Sequence, residues 1–253
     1  MRAAMSTAIE RPRMRLMDVS SHLVDFAMTT YDVEPAALAA LLPAGFTPEI
    51  GTTADGRERA FVSAVTFVNT ELHVAFAPFV RLRCHQTNYR AYVRHRGERG
   101  AWFFGTHLAS PFVILPRHGW RLPWSRSHVR SSATWDASDR CTRYEWRARG
   151  EGEEILVARG TGRPIGSHPS FGDDATNRLV LTHPFLGWLR RRGGSLATYS
   201  VWHAPLEMED CAIDEARFER FERLGLTRPD QGPCSVLAQR RTHYLVRLPP
   251  RSL

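Results

Sequence analysis

Hydrophobic and polar residues alternate along most of the chain, and this two-residue period predicts β-strands. The first alternating segment runs from His22 to Met28. Further strand-like segments cover residues 59–68, 127–135, 142–149, 155–160, 195–203 and 235–248. A run at 34–42 with Pro35 at its start and a second at 214–224 have helical spacing instead. The pattern predicts a mainly β (α+β) fold that is largely antiparallel, with roughly nine or ten strands and two or three short peripheral helices.

The strongest local signal is a central hairpin. One strand runs over residues 86–96, a turn follows at Gly97–Gly100, and the return strand covers 101–108. Alternation places Asn88, Arg90 and Tyr92 on one face of the first strand. A guanidinium beside an amide and a phenol can hold a carboxylate, so this row is a candidate binding site. The competing interpretation is a solvated outer face with Arg90 in a surface ion pair.

The return strand has apolar residues on both faces. Alternation puts Trp102, Phe104 and Thr106 together, with Phe103 and His107 on the other side. This composition favours a hairpin covered on both sides, so core packing is the simpler interpretation of Phe104, and lining a pocket is the alternative.

Length and composition indicate an ordinary globular domain. The chain has 253 residues, of which 43% are hydrophobic and 24% charged. We expect residues 1–19 to form a frayed leader and residues 20–253 to form one domain. The four cysteines are far apart in sequence, which is typical of a reducing compartment and favours the cytoplasm. No apolar stretch reaches the length of a membrane span.

All 34 basic residues are arginine, because the chain contains no lysine. Schiff-base catalysis by a side-chain amine, lysine-anchored pyridoxal phosphate and P-loop chemistry are therefore excluded. The net charge of +8 raises nucleic-acid binding as a remote alternative. The arginines are dispersed among acidic residues, however, so we predict no nucleic-acid partner.

Several groups could transfer protons. His107, His128 and His203 lie in predicted strands, and Glu145 alternates with two arginines on another strand. A histidine or glutamate in a cavity would serve as a general acid or base. The competing interpretations are structural histidines and an exposed ion pair at Glu145. The spacing of the histidines matches no metal motif, and the glycine-rich segment 160–164 lacks a third glycine, so we predict neither metal nor cofactor.

Three segments carry a family resemblance. They contain the strings Leu41-Leu42-Pro43-Ala44-Gly45-Phe46, Asn88-Tyr89-Arg90-Ala91-Tyr92-Val93-Arg94 and Trp102-Phe103-Phe104-Gly105-Thr106, followed by 122–124 and 195–206. From about residue 20 onwards, the chain resembles the uncharacterised YqjF-like family, domain of unknown function 2071. That family is grouped with the acetoacetate-decarboxylase-like superfamily.

The resemblance implies an antiparallel β cone or barrel around a central cavity. In the decarboxylase, a lysine in a Gly-x-Pro-Lys segment forms an imine with the substrate. The similar segment here is 121–124, which puts Trp124 at or near the lysine position. We therefore expect the fold without the imine mechanism, with Trp124 as floor of the pocket or as a plug at one end.

The combined prediction is a protein that binds a small organic acid or carbonyl compound. Any catalysis would be proton transfer of the lyase or isomerase type, with Arg90 holding the anion and His107, Glu145 or His203 as acid or base. The main alternative is a ligand-binding or sensor module that performs no reaction. The sequence leaves open whether the chain forms a homo-oligomer.

Overall fold

The computed structural model describes residues 11–53, 56–164 and 186–253, and strands dominate them. The strands are β1 (Val19–Val33), β2 (Phe46–Pro48), β3 (Ile50–Thr52), β4 (Glu58–Val74), β5 (Leu82–His95), β6 (Glu98–Leu108), β7 (Trp124–Arg126), β8 (His128–Trp135), β9 (Cys141–Arg149), β10 (Glu153–Pro164), β11 (Leu186–Arg190), β12 (Leu196–His203), β13 (Glu209–Phe218), β14 (Ser235–Val246) and β15 (Arg251–Ser252). The helices are α1 (Pro35–Leu41), α2 (Ile114–Gly119) and α3 (Glu219–Arg223), with a 3-10 turn at Pro111–Val113. The mainly β class is confirmed.

The described strands form one sheet that closes on itself. Its order is β15-β12-β11-β6-β5-β4-β1-β14-β13-β10-β9-β8, and β12 also pairs with β14. This extra pairing joins β12, β11, β6, β5, β4, β1 and β14 into a ring. Most pairings are antiparallel, but β6 pairs in parallel with both β7 and β11. The closed ring gives the strands an inner and an outer face.

Both faces of the ring are buried. The inner face carries an apolar cluster that includes Phe26, Met28 and Val65. The outer face is covered by β8, β9, β10 and β13, which supply Tyr144 and Trp146 to a larger core. A wall with apolar side chains on both faces explains why the strands β4 and β5 have continuous buried runs.

The central hairpin has a tighter turn than the sequence predicts. His95 pairs with Glu98, so the loop consists of Arg96 and Gly97 rather than residues 97–100. Both loop residues have positive φ, at 51° and 83°, as a type I′ turn requires. Strand pairing already begins at Glu98 and includes Gly100, so the predicted boundary between the turn and the return strand was wrong.

A β-bulge corrects the predicted faces of β6. Tyr89 pairs with Gly105 and Arg90 with Phe103, so Phe104 has no partner in the register. The extra residue breaks the alternation. Phe104 therefore packs with Trp102 on the outer core, whereas Thr106 lies on the inner side with Phe103.

The predicted helix at 214–224 was wrong over its first half. Residues up to Phe218 belong to β13, which pairs with β10 from Phe218↔Glu154 to Glu209↔Pro164, and only Glu219–Arg223 is helical. Long-range pairing with β10 outweighs the helical spacing of the charged residues.

Candidate functional site

A cavity of about 420 Å³ lies inside the ring. All seven ring strands contribute to its lining, which is mostly aliphatic and aromatic. Inward residues of β5 follow one another at every second position; they are Leu82, Cys84, Gln86, Asn88 and Arg90. The outward residues Tyr89, Ala91 and Val93 lie in the core on the other side. The period-two pattern of β5 therefore separates a cavity face from a core face.

Arg90 brings a guanidinium to the cavity wall. The residue is only 8% exposed. Its Nη2 donates to Tyr92 Oη at 3.2 Å and lies 3.0 Å from Met28 Sδ, and the guanidinium lies 5.3 Å from the centre of the Tyr92 ring. Tyr92 Oη is also within 2.8 Å of Ser63 Oγ. This contact holds Tyr92 below the guanidinium, so Tyr92 positions Arg90.

Two further phenols face the same cavity. Burial raises the pKa of Tyr244 to about 12, although the charge of Arg90 acts in the opposite direction. Burial likewise raises the pKa of Tyr199 far above its ordinary value, against the same opposing effect of Arg90. Both side chains are therefore neutral at physiological pH and can donate hydrogen bonds.

Polar side chains along the cavity bond to one another. Ser21 Oγ donates to Asn69 Oδ1 at 3.0 Å, and Asn69 Nδ2 donates to Gln86 Oε1 at 3.0 Å. Gln86 Nε2 and Thr106 Oγ1 both donate to Asn88 Oδ1, at 2.9 Å each. This amide ladder satisfies much of its own hydrogen-bonding capacity, so it presents a less polar surface than its composition suggests.

His203 is the predicted histidine that lines the cavity. Its ring stacks on Tyr244 with 4.9 Å between centroids, and Nδ1 lies 2.7 Å from the carbonyl oxygen of Ala204. In that contact Nδ1 donates, which leaves Nε2 as the basic nitrogen. Trp124 also lines the cavity and packs with a cluster that includes Leu122 and Leu189.

His107 lies on the outer side of the ring wall. It is 1% exposed, and its Nδ1 donates to Glu154 Oε1 at 2.5 Å. The other carboxylate oxygen of Glu154 accepts from Thr87 Oγ1 at 2.5 Å and from Trp146 Nε1 at 3.0 Å. Burial alone would raise the pKa of Glu154, but these hydrogen bonds and the charge of His107 lower it overall. His107 and Glu154 form a buried pair in the outer core.

The remaining predicted site residues lie away from the cavity. Phe104 packs in the outer core, and its carbonyl oxygen accepts from Arg220 Nη2 at 2.7 Å. Glu145 accepts from Arg143 Nε at 2.6 Å, and its side chain is 35% exposed. The structure thus brings Asn88, Arg90, Trp124 and His203 to one cavity, with Tyr92 beneath Arg90. It separates His107, Glu145 and Phe104 from them.

Sequence reasoning missed the two cavity tyrosines and Glu154. The string Tyr199-x-Val201-x-His203 alternates, and all three residues line the cavity, so the period of β12 was a usable signal for Tyr199. No local pattern links Glu154 with His107, because 47 residues separate them. In the described part of the chain, no cluster of three or more histidine, cysteine, aspartate or glutamate residues could hold a metal ion.

The family model described as DUF2071, an uncharacterized conserved protein, matches residues 20–242. The chain belongs to the DUF2071 family. No curated protein matches its sequence.

Solved structures share the fold at low sequence identity. Acetoacetate decarboxylase from Legionella pneumophila has a TM-score of 0.60 and 12% identity, over 98% of this chain and 93% of that one. An acetoacetate decarboxylase-like enzyme from Sphingomonas wittichii has a TM-score of 0.60 and 13% identity, over 95% and 94%. The enduracididine biosynthesis enzyme MppR, complexed with the condensation product of pyruvate and imidazole 4-carboxaldehyde, has a TM-score of 0.59 and 12% identity, over 100% and 97%. This DUF2071 chain therefore has the acetoacetate-decarboxylase-like fold.

Proposed function

We propose that this DUF2071 protein binds a small organic acid in the ring cavity, with the carboxylate on Arg90. The observation that carries the proposal is a buried guanidinium on the wall of a mainly apolar cavity. A guanidinium has five N–H donors and matches a carboxylate in a bidentate arrangement. In an apolar, water-poor site this charge-assisted contact is stronger than on the surface.

Neighbouring groups support an anionic ligand. The neutral phenols of Tyr199 and Tyr244 can add donors to an anion held at Arg90. Relatives of this fold bind compounds of the same class, since MppR has been solved in complex with pyruvate. An acid that enters this cavity would meet cationic and neutral donor groups together.

We also propose that His203 is the proton-transfer group if the bound acid reacts. The residue lines the cavity, its Nδ1 donates to Ala204 so that Nε2 is the acceptor nitrogen, and the chain contains no lysine that could form an imine. Such a reaction would resemble the proton transfers of lyases and isomerases.

A ligand-binding module without turnover is the second candidate. No aspartate or glutamate lines the cavity in residues 11–53, 56–164 and 186–253, and burial raises the pKa of Cys84 to about 11, which keeps this thiol protonated. His203→Gln distinguishes the two candidates: it should abolish turnover of a carbonyl acid while preserving binding if the protein is an enzyme. If no acid in the panel below is turned over by the native protein, the binding module is favoured.

We propose a cytoplasmic location for the protein. Cys84, Cys141, Cys211 and Cys234 are all free thiols, three of them buried, as expected for a reducing compartment. No helix in the described residues has the length and apolar character to cross a membrane.

Binding should be measured by calorimetry against pyruvate, acetoacetate, benzoate and octanoate, with the corresponding amides as uncharged controls. Arg90→Met should weaken binding of the acids by about 10- to 100-fold, because a hydrogen bond to a charged group contributes roughly 1.5–3 kcal/mol. Arg83→Met is the matched control, since Arg83 lies on the same strand but is exposed. Equal affinities of native protein and Arg90→Met for every acid would refute the proposal.

A further inference from the structure

The cavity is elongated along β5. Its inward residues extend from Leu82 to Arg90, a separation of eight residues. At a rise of about 3.3 Å per residue, this corresponds to about 26 Å of strand. Arg90 therefore lies far along the strand from Leu82.

The end near Leu82 opens to solvent between apolar side chains. Phe76, Val80, Phe112 and Leu115 line the cavity and are nevertheless 54%, 50%, 49% and 67% exposed. They belong to the β4–β5 connection and to the segment of Pro111–Val113 and α2. Large exposed apolar side chains grouped at one opening are uncommon on a soluble surface and mark a site that binds apolar groups.

The walls between this opening and Arg90 are suited to an apolar chain. Leu23, Phe67, Leu108, Val201 and Val246 face the cavity from five different strands. The polar amides on β5 bond to each other in the ladder described above, so a ligand need not satisfy them. A compact acid would leave most of this apolar surface uncovered.

From this geometry, and building on the proposed function, we propose that the ligand is an alkyl monocarboxylate of medium to long chain. Its carboxylate binds to Arg90, and its chain extends along β5 towards the opening formed by Phe76, Val80, Phe112 and Leu115. Such a ligand covers apolar surface along the cavity length and places its single charge at the buried guanidinium.

Calorimetry with a series of unbranched acids from acetate to tetradecanoate, each below its micelle concentration, tests the proposal. Affinity should rise by about fourfold per methylene group over the middle of the series, as expected for burial of each CH₂ group. Alcohols of matching length should bind more weakly than the acids, and Arg90→Met should remove this difference.

A bulky residue within the cavity should shorten the preferred chain. Leu108 pairs with Gln86, which is four residues before Arg90, or about 13 Å along the strand. Leu108→Trp should preserve binding of acetate and butanoate and eliminate the gain for the longest acids. Val246→Phe gives a second obstruction at a less buried position. Leu16→Trp is the control, because Leu16 is 70% exposed and lies outside the cavity lining.

Three other results overturn the proposal in distinguishable ways. If affinity does not change with chain length but still depends on Arg90, the alkyl-chain proposal is rejected and the organic-acid proposal remains. Alcohols that bind as tightly as the acids would reject the role of Arg90 and, with it, the proposed function. Failure of every acid in both panels to bind would also reject the proposed function.

Discussion

At the scale of single residues, His107 and His203 show how similar sequence contexts lead to different environments. Both were predicted in strands as candidate acid or base groups. His203 faces the cavity and stacks on Tyr244, whereas His107 is bonded to Glu154 in the outer core. The difference arises from the bulge at Phe104 and from β10, which brings the carboxylate to His107.

The buried pair predicts an acid-sensitive contribution to stability. Because the pKa of Glu154 is lower in the folded protein than its ordinary value of 4.5, the unfolded chain binds more protons in acid. The stabilising contribution is therefore complete above about pH 4.5 and is lost as the pH falls through the folded-state pKa. Glu154→Gln should reduce the free energy of unfolding by roughly 1.5–3 kcal/mol at pH 7, because an amide nitrogen replaces one of the two carboxylate oxygens that accept buried hydrogen bonds from His107, Thr87 and Trp146.

Urea denaturation at a series of pH values measures this effect. The difference between native protein and Glu154→Gln should shrink as the pH falls from 7 towards 3. Glu215→Gln is the control, since Glu215 forms an exposed pair with Arg147 and should change stability by less than about 1 kcal/mol. A difference that stays constant across the pH range would contradict the assignment.

At the scale of elements, local patterns predicted β1, α1, β4, the central hairpin, β8, β9, β12 and β14, with boundaries that differ by a few residues. The errors occur where pairing with a strand distant in sequence determines the secondary structure of a segment. The segment 214–218 has helical spacing but pairs with β10. The short strand β7 pairs with β6, and β11 pairs with both β6 and β12. A short segment without a strong pattern takes its structure from its neighbour.

The turn of the central hairpin gives a test at this scale. Gly97 has a φ of 83°, a left-handed conformation that a residue with a Cβ adopts at a cost. Gly97→Ala should lower the free energy of unfolding by about 1–2 kcal/mol. Gly232→Ala is the matched control, because an added Cβ there meets no atom within 4 Å and the φ is not in the left-handed region. Thermal or urea unfolding measures the stability of both variants. An equal loss of stability in Gly97→Ala and Gly232→Ala would contradict this account.

At the scale of the whole molecule, the absence of lysine separates the fold from the imine chemistry of the decarboxylase. Incubation of the native protein with pyruvate and cyanoborohydride should yield no reduced adduct on any internal peptide, because no side-chain amine exists. Peptide mass spectrometry measures this directly. An adduct on an internal peptide of the native chain would contradict the expectation.

Trp124→Lys supplies the comparison for that experiment. It introduces the chain's only lysine on the cavity wall, at or near the position of the decarboxylase lysine that the resemblance implies. An apolar wall favours the neutral amine, which is the nucleophilic form. The variant should therefore trap pyruvate at residue 124. The native protein should show no internal adduct, and an Arg83→Lys variant at an exposed position should show little.

The sequence alone determined the mainly β class, the family, the two alternating faces of β5 and the exclusion of side-chain imines. The family follows from the resemblance of three sequence segments, and the other conclusions follow from local spacing or from which functional groups the chain contains. The tertiary structure decided which face lines a cavity, because alternation distinguishes two sides of a strand without saying which side the closed ring encloses. It also decided the partners of Arg90 and His107, since Met28 and Glu154 come from strands distant in sequence. Composition therefore limited which reactions the side chains can support. The pairing of β12 with β14 closes the ring, and this closure set which side chains line the cavity.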